Sequence, residues 1–163
     1  MPQSLKNILV VMQALLWVSS CASKAEYSST FRKIITSEHG VFRGVDFDTP
    51  ISNVKKIETT KPEIDDILGL RYQIQLNENE TLFIEYDKQE DKVKSIRAKI
   101  QLKNYQNAEL LYNELLNYYK QKHGKPRGRE RESYWQVKDT KSIYYLDLIW
   151  VEKENTLYLD IRK

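Results

Sequence analysis

A chain of 163 residues has the length of one ordinary domain. Its 40% hydrophobic and 30% charged residues supply enough apolar surface for a core, which excludes wholesale disorder, and a formal charge of +3 is too mild to imply nucleic acid. A single Cys excludes an internal disulfide, so stability has to come from packing.

Lys6 is the one charge in residues 1–20. Residues 8–18 form an apolar run broken by Gln13, and Ser19 and Ser20 lead into Cys21. A charged start, a short apolar stretch and small residues describe a secretory signal, and a run of about eleven residues is too short to span a bilayer. Val18-Ser19-Ser20-Cys21 resembles the lipobox of bacterial lipoproteins. The resemblance implies cleavage before Cys21, diacylglycerol on its sulfur, and acylation of the new amine. Several acyl chains make a stable membrane anchor. Residue 22 is Ala, so nothing resembles the Asp-dependent inner-membrane retention signal. An outer-membrane anchor facing the periplasm is expected.

Residues 1–20 are thus read as signal peptide, 21–40 as the acylated N-terminus and tether, and 41–163 as a single domain. Within the tether, Phe31, Ile34 and Ile35 sit at helical spacing and allow a short helix. Asp48-Thr49-Pro50 predicts a helix start, with a cap candidate followed by Pro at the first helical position, and Ile51, Val54 and Ile57 follow on one face. Three stretches of period two follow: Leu70, Tyr72, Ile74 and Leu76; Leu82, Ile84 and Tyr86; Ile96, Ala98, Ile100 and Leu102. Alternation with one polar face predicts an antiparallel sheet covered on one side. Ala108, Leu111, Tyr112, Leu115, Leu116 and Tyr119 predict a longer amphipathic helix, ended by His123-Gly124 and Pro126. Three more strands are expected in residues 134–138, 143–151 and 156–162.

The order helix, three strands, helix, three strands reads as a repeat of residues about 41–102 and 103–163. Lys61-Pro62 and Lys125-Pro126 lie 64 residues apart, as do Ile84 and Leu148, and Tyr86 and Trp150; Tyr72 matches Trp135 once one residue is dropped. Each half alone would leave an apolar sheet face open. The expected fold is α+β, with pseudo-duplicated helix-plus-three-strand units forming an antiparallel six-stranded sheet that has helices on one face. The lipobox, the short helix after Gly40-Val41-Phe42-Arg43-Gly44-Val45, the helix ending in His-Gly-Lys-Pro and the strand triplets together resemble small envelope lipoproteins of the β-lactamase-inhibitor-protein-like type. That group includes the BamE-type outer-membrane assembly lipoproteins. The resemblance implies an antiparallel sheet with helices over one face, and protein contacts made by the other face or its loops.

Few residues point to catalysis. His39 and His123 stand far apart, and neither a His-Glu-x-x-His pair nor a Gly-x-Ser-x-Gly elbow occurs. His123 is read as a helix terminator, through its charge and its neighbour Gly124. Asp46, Asp48, Asp65 and Asp66 lack the spacing of a calcium loop and are read as caps and turn acids. No cofactor and no metal are expected. Residues 120–131 carry six Lys or Arg against one Glu, and Lys125, Arg127, Arg129 and Arg131 are candidate anion-binding residues for lipid phosphate or an acidic protein. The alternative for this run is a solvated loop after a helix.

By strand parity, the polar face of the sheet carries Phe83, Arg97, Tyr134, Tyr145 and Tyr158 among acids and further cations. Such a mixture of aromatic and Arg side chains has the composition of binding surfaces, so these five are candidate protein-binding residues. The alternative is that the tether or residues 41–47 cover this face. The function expected is that of a cell-envelope lipoprotein acting as a non-catalytic protein-binding module, either inhibitor- or immunity-like or an accessory to envelope assembly. Its expected partners are an unidentified envelope protein and, through acylated Cys21, the membrane, with no nucleic acid. The other reading is a periplasmic carrier or sensor of a small apolar or anionic ligand held between helices and sheet.

Overall fold

The structure, a computed structural model, describes residues 26–139 and 142–163. The signal segment, the lipobox and Cys21 lie outside the described residues.

Alternating apolar residues build one continuous antiparallel sheet. Its strands are β1 (Ile64–Asp65), β2 (Gly69–Asn77), β3 (Glu80–Gln89), β4 (Lys92–Gln101), β5 (Arg127–Arg129), β6 (Glu132–Lys138), β7 (Ile143–Val151) and β8 (Thr156–Arg162). The spatial order is β1-β2-β3-β4-β8-β7-β6-β5. The sheet therefore has eight strands where six were expected. The two additional strands, β1 and β5, are edge pairings of two and three residues, too short to show any period in the sequence. β4 and β8 join the two halves in antiparallel register, with Ala98 opposite Leu159. The register separates Tyr72 from Trp135: Tyr72 faces Ile84, whereas Leu148, which lies 64 residues beyond Ile84, faces Ser133.

Three helices accompany the sheet: α1 (Ser29–Ile34), α2 (Ile51–Ile57) and α3 (Tyr105–His123). The side chain of Asn104 caps α3 by accepting from the Asn107 backbone N–H at 2.9 Å, and Gly124 ends it at φ +83°. Ala108, Leu111, Leu115 and Tyr119 of its apolar stripe are buried. They meet the inner sheet face, where the ring of Tyr119 lies 5.9 Å from that of Trp135 and Tyr112 shares a hydrogen bond with Ser133 at 3.2 Å.

Two local expectations are corrected. Pro50 occupies the cap position of α2 rather than its first helical position, and no side chain caps that helix. Asp48 takes a left-handed conformation at φ +63°, pairs with Lys163 through its carboxylate, and donates its backbone N–H to the carbonyl of Val93 at 2.9 Å. The expected tether, residues 21–40, also contains packed structure. Phe31 and Ile34 of α1 are buried in the core, and Ser28 is held to Glu114 of α3 through its backbone N–H and its hydroxyl. Phe31 stacks on Tyr27 at 4.0 Å and meets Tyr118 of α3 edge-on at 5.6 Å. The apolar spacing of Phe31 and Ile34 makes this packing worth more than solvent exposure.

Candidate functional site

Pairing fixes what each side of the sheet presents. On the inner side, residues such as Leu82, Ile84, Ile100, Leu146 and Leu148 are wholly buried. The outer side is read along rows that cross the strands. One row runs Gln73, Phe83, Lys99, Tyr158, Ile149, Glu132 and Arg129; the next runs Arg71, Glu85, Arg97, Asp160, Asp147, Tyr134 and Arg127. The structure thus brings the candidate residues Phe83, Arg97, Tyr134, Tyr145 and Tyr158 onto one face. Two of the candidate anion-binding residues, Arg127 and Arg129, join the same face through β5. Lys125 stays on the loop before β5. Arg131 is drawn away from the face: it pairs with Glu152 and lies 4.8 Å over the ring of Trp150.

Phe83, Ile149 and Tyr158 are half-buried and line a hollow of about 620 Å³, Ile149 beside Tyr158 and Phe83 beyond Lys99. Glu85, Arg97, Lys99 and Asp160 also line it. Ion pairs organise its polar margin. Glu85 receives Arg71 at 3.1 Å and Arg97 at 2.9 Å, and Arg97 also reaches Asp87 at 3.0 Å. Arg162 binds Asp147 at 2.7 Å and Asp160 at 2.6 Å. These groups hold one another in place, so the face is preorganised, although exposed pairs of this kind contribute little to stability. Tyr134 donates to Glu132 at 3.1 Å, and that hydrogen bond pushes its phenol pKa upward, keeping the hydroxyl protonated. Tyr145 is 44% exposed, and Ile143 on the same strand is 50% exposed.

Residues 41–47, one of the alternative covers for this face, pack elsewhere. They place Val41, Phe42, Val45 and Phe47 in the core, and Phe47 meets the inner-face ring of Tyr144 at 5.4 Å. The space between helices and sheet is filled by side chains, and the hollow lies on the opposite side of the sheet.

Sequence reading missed a buried ion pair. The turn at residues 40–45 is closed by Val45 N–H to Phe42 O at 2.9 Å, and it turns Arg43 inward at φ +54°. The Arg43 guanidinium meets the carboxylate of Glu58 in a fork, with two contacts of 2.9 Å. It also donates to the last carbonyls of α1, Lys33 O at 2.6 Å and Ile34 O at 3.2 Å. Tyr86 donates to Glu58 at 2.5 Å, and burial followed by the charge of Glu58 raises its phenol pKa well above the usual value. Glu58 directly follows the last helical residue of α2, and helical period placed Ile57 inward, where the structure leaves it 39% exposed. Only the pairing of Glu58 with Arg43, fifteen residues upstream in sequence, could have signalled the site.

His123 sits stacked on Tyr119 at 5.9 Å, edge-on to Tyr144 at 6.1 Å. Desolvation, then the neighbouring charge of Lys122, lowers its pKa to about 4. It is therefore neutral near pH 7, and its expected charge at the helix end is corrected: Lys120 and Lys122 supply the positive charge there. No group of three or more His, Cys, Asp or Glu able to hold a metal occurs among the described residues, and no helix among them is long and apolar enough to cross a membrane.

No protein family, no curated protein and no solved structure matches this chain.

Proposed function

We propose that the protein is a cell-envelope lipoprotein, anchored through acylated Cys21 and facing the periplasm, that binds another envelope protein with the outer face of its sheet and catalyses no reaction. The observation that carries this reading is the outer face itself. Phe83, Tyr158 and Ile149 line a hollow there with ion-paired Arg97, and exposed Tyr145 and ion-paired Arg162 lie farther along the same face. Aromatic and Arg side chains set among fixed polar groups are the composition of protein-binding hot spots. The lipobox-like Val18-Ser19-Ser20-Cys21 supports the anchor. An inhibitor or immunity-like protein would use this face for tight, central contacts. An assembly accessory would work with weaker contacts, aided by the local concentration that anchoring provides. The resemblance to β-lactamase-inhibitor-protein-like and BamE-type lipoproteins favours these two roles. We also propose that residues 41–102 and 103–163 are pseudo-duplicated units, supported by the mirrored strand order about the β4–β8 pair.

A second reading, a carrier or sensor of a small ligand, is favoured by the volume of the hollow, about 620 Å³, which lies within the range of ligand pockets. Retention of an envelope partner by the anchored protein separates the two. Tyr145→Ala with Tyr158→Ala is expected to weaken retention by roughly thirtyfold, the equivalent of about 2 kcal/mol for a truncated hot spot, with an unchanged melting temperature. Full retention by the folded variant would rule out the sheet face. Cys21→Ala is expected to abolish palmitate labelling, and labelling that persists would rule out the anchor.

A further inference from the structure

The charges of the outer face are not balanced in their pairing. The acids around the hollow are ion-paired, Glu85 and Asp87 by Arg97 and Asp147 and Asp160 by Arg162, while Glu132 accepts from the Tyr134 hydroxyl. Lys99, Arg127 and Arg129 have no ion-pair partner among the described residues. Lys99 stands beside the hollow, between Phe83 on β3 and Tyr158 on β8. Arg127 and Arg129 stand at the far edge, on β5. The apolar floor of Tyr158 and Ile149 lies between these two positive ends.

Resting on the sheet-face reading above, we propose that this hollow receives an apolar side chain from a protein segment that carries acidic residues on both sides of it. The apolar side chain fills the space over Phe83, Tyr158 and Ile149. One carboxylate meets Lys99, and another meets the forked donors of Arg127 or Arg129. Lys99 and Arg129 are separated by four strand spacings, roughly 19 Å, a distance that an extended segment covers in about six residues. A basic segment would find the acids beside the hollow, Glu85 and Asp160, already ion-paired and would meet three cations without such a partner, which selects against it.

The test uses the full chain, solubilised in detergent, to select binders from displayed random 12-residue peptides. Selected peptides should carry Phe, Leu, Ile or Met with Asp or Glu on both sides, and their binding should weaken about tenfold or more between 50 and 300 mM salt. Lys99→Glu combined with Arg129→Glu should select basic flanks instead; both sites lie on the surface, and an unchanged melting temperature shows that the fold is kept. Neutral or basic peptides that still perturb the NMR signals of Phe83 and Tyr158 would overturn this inference and leave the sheet-face reading standing. Peptides that map to another surface, or no enrichment at all, would overturn both. Phosphatidylglycerol vesicles that bind the wild type but not the charge-reversed variant, in the absence of any acidic peptide, would assign the cations to a lipid surface and overturn the protein segment.

Discussion

Glu58 shows how one side chain fixes the entry to a domain. It is 3% exposed, and it is satisfied by the fork of Arg43 and by the hydroxyl of Tyr86. Through Arg43 the same cluster holds the end of α1, so three distant segments meet at one carboxylate. Removing one partner leaves a buried charge uncompensated. Glu58→Gln is expected to lower unfolding free energy by roughly 3–5 kcal/mol in urea titration, and Arg43→Met with Glu58→Leu together should cost less than either single change. His123 adds a pH term. The unfolded imidazole takes up a proton near its ordinary 6.5, whereas the folded one does so at about 4. Between those values the unfolded chain binds more protons, so this contribution is complete above pH 6.5 and is lost as pH falls toward 4. His123→Gln should therefore flatten the dependence of the urea midpoint across that window; an identical slope in the variant would refute the burial argument.

Among the elements, β2, β3 and β4 were legible because period two survives along them, down to which side chains face outward. The helix α3 was equally plain, with its stripe and its Gly end. The short pieces were not. Two or three residues of edge strand carry no period, and the six-residue helix that the spacing of Phe31 and Ile34 allowed owes its burial to α3, which local sequence does not show. The start of β2 depends on one backbone position. Gly69 adopts φ +151°, and a Cβ there would lie 2.0 Å from the carbonyl oxygen of Tyr86. Gly69→Ala is expected to cost about 2–3 kcal/mol or more. The neighbouring Ile67, which is 87% exposed, should accept Ser within about 0.5 kcal/mol in the same titration.

At the scale of the whole molecule, one apolar sheet face is buried under helices while the other stays open and patterned. The candidate face was legible as a set of residues, since parity alone assembled Phe83, Arg97, Tyr134, Tyr145 and Tyr158. Its hollow and its joining with Arg127 and Arg129 were not legible, because both depend on strand order across the β4–β8 seam, and no local pattern encodes that order. The Arg43–Glu58 cluster stayed hidden for a related reason: a charged residue after a short helix looks solvated until the turn opposite is known to point inward. The most direct measurement is photocrosslinking of the full, anchored protein in its native envelope, with benzoylphenylalanine at Phe83, at Tyr158, or at exposed Gln121 on α3 as control. The expected result is one partner protein, near equal stoichiometry, captured from Phe83 and Tyr158 and not from Gln121. Capture from Gln121 alone, or no capture from either face position, would contradict a sheet that works as a protein-binding surface.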